Sequence, residues 1–222
     1  MQKRLTLFAG HYGSGKTNIA VNYARKLSQS GFKTALADLD IVNPYFRTKD
    51  SEELLRREGI ELVVSDFANS NVDFPALPKD VYSIIADKEK HIVMDIGGDD
   101  RGALALGRWT EDIVSSGDYE MLAVINASRP LTSTPEDTVE VLREIENACS
   151  IQFTGVVNNT NLGQQTTAAD IIASMPYAQK TASLLGLEVR FTCCANGLLN
   201  ELEGKIPKIF PIEIQKLYYH MT

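Results

Sequence analysis

A chain of 222 residues with 44% hydrophobic and 23% charged residues is long enough to bury a core as one domain, and too ordinary in charge to be disordered. Its formal net charge of -7 works against a broad nucleic-acid-binding face, and no run of lysine or arginine supplies a local one. The N-terminus lacks the long apolar stretch of a secretory signal, and no window approaches the ~18 apolar residues of a membrane span, so a cytoplasmic protein without integral membrane association is expected.

Apolar runs alternate with longer amphipathic segments along the chain. Residues 4–10 read as a first strand and 16–30 as a helix, with Ala20, Tyr23, Ala24 and Leu27 on one face and Gly31 as its stop. Strands are expected at 33–40, 59–65, 91–98, 119–126 and 151–159, and a last one at 187–193. Helices are expected at 78–89, 103–116, 135–149 and 166–185. Thr134, Pro135 and Asp137 form a start signal for the third of these. Strongly apolar strands alternating with helices imply an α/β fold, a mainly parallel central sheet flanked by helices on both faces. No linker divides the chain, so residues 1–222 are read as a single domain. Cys193 and Cys194 would face opposite sides of their strand, and with Cys149 they read as buried, reduced thiols.

Between the first strand and helix stands Gly10-His11-Tyr12-Gly13-Ser14-Gly15-Lys16-Thr17, a full match to G-x-x-x-x-G-K-[ST]. Glycines at these positions let backbone N–H groups wrap phosphate oxygens, Lys16 neutralises the β and γ phosphates, and the Thr17 hydroxyl ligates Mg²⁺. Asn18 follows in the first turn of the helix, whose positive dipole end adds to the site. "VMDIGG" places Asp95 at the end of a strand ahead of two glycines, where a P-loop protein holds its metal and where the loop would approach the γ-phosphate. "ALADLD" sets Asp38 and Asp40 one residue apart at another strand end; bent into a loop, one would reach metal and the other water.

With "ALADLDIVNPYFR", "VMDIGG" and "GVVNN" in order along the chain, the sequence resembles the CobQ/CobB/MinD/ParA nucleotide-binding domains of the P-loop superclass. The resemblance implies ATP and Mg²⁺ as cofactors, Asp40 as the residue that activates water, and Asp38 and Asp95 as organisers of the metal. It places Asn43 in the first switch and Asn158 against the adenine. The second and fourth positions of a guanine-reading N-K-x-D motif are here Asn159 and Asn161, which favours ATP over GTP. The departure from the family lies in the loop, where His11 replaces a lysine that reaches across a dimer and Tyr12 replaces a glycine. A homodimer that shares nucleotides is therefore not carried over. Arg47, Arg101 and Arg129 are available cations, each read as a surface or helix-end arginine.

The leading expectation is a slow, partner-stimulated ATP hydrolase that acts as a switch on a protein partner, in enzyme maturation or metal-cofactor delivery. The competing expectation is an ATP-dependent phosphotransferase or ligase related to the dethiobiotin and cobyrinate synthetases, with residues 66–78 and 126–135 as its acceptor loops. A third is a module that senses ATP without hydrolysing it. DNA is not an expected partner.

Overall fold

A computed structural model describes residues 2–40, 49–64, 79–98, 103–104 and 106–213. Its strands are β1 (Leu5–Ala9), β2 (Thr34–Leu39), β3 (Ile60–Val64), β4 (His91–Ile96), β5 (Tyr119–Ile125), β6 (Gly155–Asn158), β7 (Val189–Ala195) and β8 (Ile209–Ile212). They form one eight-stranded sheet in the order β3-β2-β4-β1-β5-β6-β7-β8, and every neighbouring pair is parallel. β1, β2 and β6 are buried along their whole length, and β4 and β5 at all but their first residue. Their near-continuous Val, Leu, Ile and Ala composition follows, because both faces are covered.

The helices are α1 (Lys16–Gln29), α2 (Lys49–Arg57), α3 (Lys79–Ala86), α4 (Thr110–Ser115), α5 (Pro135–Cys149), α6 (Ala168–Ala173), α7 (Met175–Leu185) and α8 (Leu199–Leu202). Period-two alternation along the strands divides the core. Phe8, Leu36, Val93 and Leu122 point to the face that Ile19, Ala20, Ala24 and Leu27 of α1 cover. Leu7, Ala37, Met94 and Ala123 point to the other, packed by Ile84 of α3, Ile113 of α4, Leu142 and Ile145 of α5 and Ala178 of α7. Cys193 joins the α1 face and Cys194 a smaller cluster with Leu202 and Ile206, so the two thiols do face apart. All three cysteines are buried and unpaired with one another.

Thr134 caps α5 by accepting from the Asp137 N–H, with Pro135 in the first turn, as its sequence signal implies. Three expectations differ. The single helix over 166–185 is two, broken at Ser174 ahead of Met175-Pro176, where the proline has no N–H to continue the ladder. The strand expected from 151 begins only at Gly155. Neither α2 nor β8 is anticipated; β8 carries Pro211, tolerated because this strand is the edge of the sheet. Near its end, Asn22 of α1 holds Glu213 twice, receiving its N–H at 2.9 Å and donating to its carbonyl at 3.1 Å.

Candidate functional site

β1 runs into the loop 10–17, and the loop into α1, at the carboxyl end of the central strands. Gly10, Gly13 and Gly15 all have positive φ. A Cβ at Gly10 would lie 2.3 Å from the Val124 carbonyl oxygen, and one at Gly15 2.3 Å from the Asn159 amide nitrogen, so no larger residue fits either place. The Ser14 N–H donates to the His11 carbonyl, and Lys16 Nζ reaches the same oxygen at 3.3 Å, which closes the loop on itself. Ser14 Oγ is buried without a hydrogen-bond partner among the described residues. His11 Nδ1 stands 2.8 Å from the Tyr12 carbonyl, and Tyr12 is 62% exposed. Asn18 is half-buried on the first turn, its carbonyl receiving the Asn22 amide.

Beside the loop, Asp38 and Asp95 are opposite each other in the register of β2 and β4, and both are buried. The Thr17 hydroxyl donates to Asp95 Oδ2 at 2.5 Å. Burial pushes the Asp95 carboxyl up to about 6; the Lys16 charge and the Thr17 bond pull it down, and the Asp40 charge adds to the rise. Asp38 Oδ1 accepts the Asp40 N–H at 3.1 Å, a turn that lifts Asp40 off the strand and leaves it half-buried. Lys16, Thr17, Asp38, Asp40 and Asp95 are therefore one cluster.

The residues that would hold Mg²⁺ fit that ion. Asp95 Oδ1 is buried and without a hydrogen-bond partner among the described residues, next to the Thr17 hydroxyl. No group of three or more His, Cys, Asp and Glu side chains among the described residues forms a complete metal cage. A hydroxyl and carboxylates that leave positions for water and phosphate oxygens suit Mg²⁺, which keeps much of its own shell.

Asn158 does not join the cluster. Its side chain is fully buried, donating to Ser174 Oγ at 2.8 Å and accepting from the Thr160 N–H and hydroxyl. It ties β6 to the start of α7 and offers no free edge to a base. The residue facing the loop is Asn159, whose amide donates to the Ser14 carbonyl at 2.7 Å. Asn43, Arg47, Arg101 and the loop 66–78 lie outside the described residues.

Three residues prominent here carry little signal in the sequence. Gly98 lies so close to the loop that a Cβ would meet Lys16 Nζ and Tyr12 N at 2.7 Å; the "IGG" run is the trace it leaves. Asn159 is visible only as the second of a pair. Arg129, read as a surface arginine, donates through Nε to the Gly13 carbonyl at 2.8 Å, across 116 residues of chain.

The geometry has clear company among solved structures. FtsY from Mycoplasma mycoides superposes with a TM-score of 0.55 at 18% identity over 86% of this chain, and FtsY from Thermotoga maritima with 0.58 at 17% over 86%. FlhF complexed with GTP and Mg²⁺ gives 0.53 at 15% over 85%. This is the P-loop NTPase fold. The chain spans 60%, 61% and 64% of the lengths of those three structures. No protein-family model matches the sequence, and no curated protein matches it. The neighbours named here are FtsY and FlhF rather than MinD or ParA proteins, and likeness at this identity carries the fold and not a finer family.

Proposed function

We propose that this chain is a Mg-ATP-binding P-loop ATPase that works as a nucleotide-dependent switch on a protein partner. The observation that carries the reading is the Thr17 hydroxyl set on buried Asp95, with Lys16 folded against the same loop and Gly98 touching both. In it, backbone N–H groups of 13–17 and the Lys16 ammonium bind the β and γ phosphates. Thr17, Asp95 and Asp38 hold Mg²⁺, which when bound would neutralise charge on the phosphate oxygens. Asp40 orients and deprotonates the attacking water. Packing of Gly98 on Tyr12 gives the β4 loop a direct contact with the phosphate loop, which suits a segment that changes place with the γ-phosphate.

Adenine is the base proposed. A guanine site gains from a carboxylate that accepts from N1 and N2, and residues 158–162 are Asn, Asn, Thr, Asn and Leu. Loss of such a pair costs about 1.5–3 kcal/mol. GTP in the FlhF structure belongs to that protein. Family membership of the MinD/ParA kind, as the switch segments suggest, is part of this proposal.

Isothermal titration and phosphate release test it. Lys16→Ala abolishes Mg-ATP binding, whereas Asp40→Ala retains it and loses hydrolysis. Hydrolysis at the parent rate by Asp40→Ala would remove Asp40 from its role. Turnover driven by a small-molecule acceptor, with no protein added, would replace the switch by a phosphotransferase.

A further inference from the structure

At the opposite end of the sheet from the phosphate loop, a cavity of about 370 Å³ opens between the second half of α1 and the first residues of β5, β7 and β8. Lys26, on its α1 side, lies ten residues beyond Lys16, about 15 Å along the helix. One wall is aromatic. Tyr23 of α1 stacks on Phe191 of β7 with ring centroids 6.3 Å and planes 17° apart. Phe210 of β8 meets Phe191 at 5.0 Å and Tyr23 at 5.9 Å. Strand alternation puts these rings together: Phe210 is opposite Cys193 in register, and Phe191, two residues before Cys193, shares its face toward α1.

Glu120 is the one carboxylate that lines the cavity among the described residues, and its charge is already met. Oε1 accepts from the Thr6 and Tyr23 hydroxyls, both at 3.3 Å, and Oε2 accepts from the Arg190 guanidinium at 2.8 Å. The Arg190 stem crosses Gly155, where a Cβ would meet its Cγ at 2.3 Å, so only a glycine lets it take this path to Glu120. Lys26 and Lys208 also line the cavity, and neither has a carboxylate partner among the described residues. Lys26 Nζ stands 5.0 Å from the centroid of the Phe210 ring. Three cations against one carboxylate leave an excess of two positive charges here, in a chain whose net charge is -7.

We infer that this cavity is a second binding site, separate from the phosphate loop, for an organic anion with a two-ring aromatic body. A dry cavity of about 150 Å³ takes one benzene ring, and this one has more than twice that room. The rings of the ligand pack on Tyr23, Phe191 and Phe210, and its carboxylate or sulfonate lies between the Lys26 and Lys208 ammoniums. Charge selects the ligand as much as shape does, because the excess at the cavity is opposite in sign to the chain as a whole.

Two fluorescent probes test this: anilinonaphthalene sulfonate, and phenylnaphthylamine, which has the same rings and no charge. The parent should bind the sulfonate more tightly than the neutral amine. The double variant Lys26→Gln, Lys208→Gln should weaken the sulfonate on the order of tenfold, leave the amine unchanged and melt with the parent. Lys180→Gln with Lys205→Gln removes as much charge from exposed positions outside the cavity, and should bind both probes as the parent does. Unchanged sulfonate binding in the Lys26 and Lys208 variant would overturn the inference, as would an equal loss in the control pair. Displacement of the sulfonate by Mg-tripolyphosphate would also overturn it, by placing the probe in the phosphate loop. Full sulfonate binding by Lys16→Ala separates this site from the nucleotide reading, which that variant tests independently.

Discussion

The Thr17 hydroxyl bonds one oxygen of Asp95 at 2.5 Å and leaves the other buried with no hydrogen-bond partner among the described residues. An ionised carboxyl in that position is costly, and burial raises it from an ordinary 3.8 to about 6. Between those values the folded chain binds more protons than the unfolded one. Stability from this group is therefore greatest below pH 3.8, falls as pH rises to about 6, and is flat above, with a span of about 3 kcal/mol. Denaturant melts of Asp95→Asn and parent should coincide near pH 4 and diverge in favour of the variant by pH 7. Mg-ATP should then stabilise the parent more than the variant. A difference independent of pH would show that Asp95 titrates normally.

Gly98 touches the backbone of Tyr12, not only the end of the flexible Lys16 side chain. Gly98→Ala must push the two loops apart, at a cost of about 1–3 kcal/mol, typical of overpacking. Chemical denaturation should show this loss in the ligand-free chain. A variant as stable as the parent would mean that the loops part without penalty.

Asn158 and Asn159 are neighbours with different consequences. Asn158→Ala leaves the Thr160 N–H and Ser174 without their partner in the interior, a loss of about 1–3 kcal/mol in unfolding free energy. The preference between ATP and GTP should not move. Asn159→Ala releases the Ser14 carbonyl and should weaken Mg-ATP and Mg-tripolyphosphate alike. A shift in base preference on Asn158→Ala would restore its place beside the base.

The thiols supply a test of packing. Burial pushes Cys149 up, and pushes Cys193 well above the ordinary thiol range. Ellman's reagent at pH 8 should titrate all three cysteines promptly in urea, and these two far more slowly in the native chain. Prompt native reaction of both would contradict the core described for α5 and β7.

The parts legible in the sequence are those with local causes. Strands buried on both faces announce themselves as apolar runs, and the phosphate loop as glycines whose positive φ the motif demands. Asp38, Asp40 and Asp95 were legible because strand ends and register bring them to one side of the sheet. What escaped depends on distant partners. β8 is four residues with a proline, and only its pairing with β7 makes it a strand. Arg129 has no local signal at all, since its partner is the Gly13 carbonyl. Asn158 and Asn159 form one asparagine pair in sequence; the alternation of a strand end sends one inward and the other to the loop.

The paired bonds between Asn22 and Glu213 give α1 a mechanical role. Its first residues, Lys16 and Thr17, belong to the cluster at the phosphate loop, and Asn22 lies about 8 Å further along the same rigid rod. A displacement at the end of β8 is delivered to the rod at Asn22, less than two helical turns from the ammonium and hydroxyl. The edge of the sheet and the phosphate loop are coupled as the two arms of one short lever.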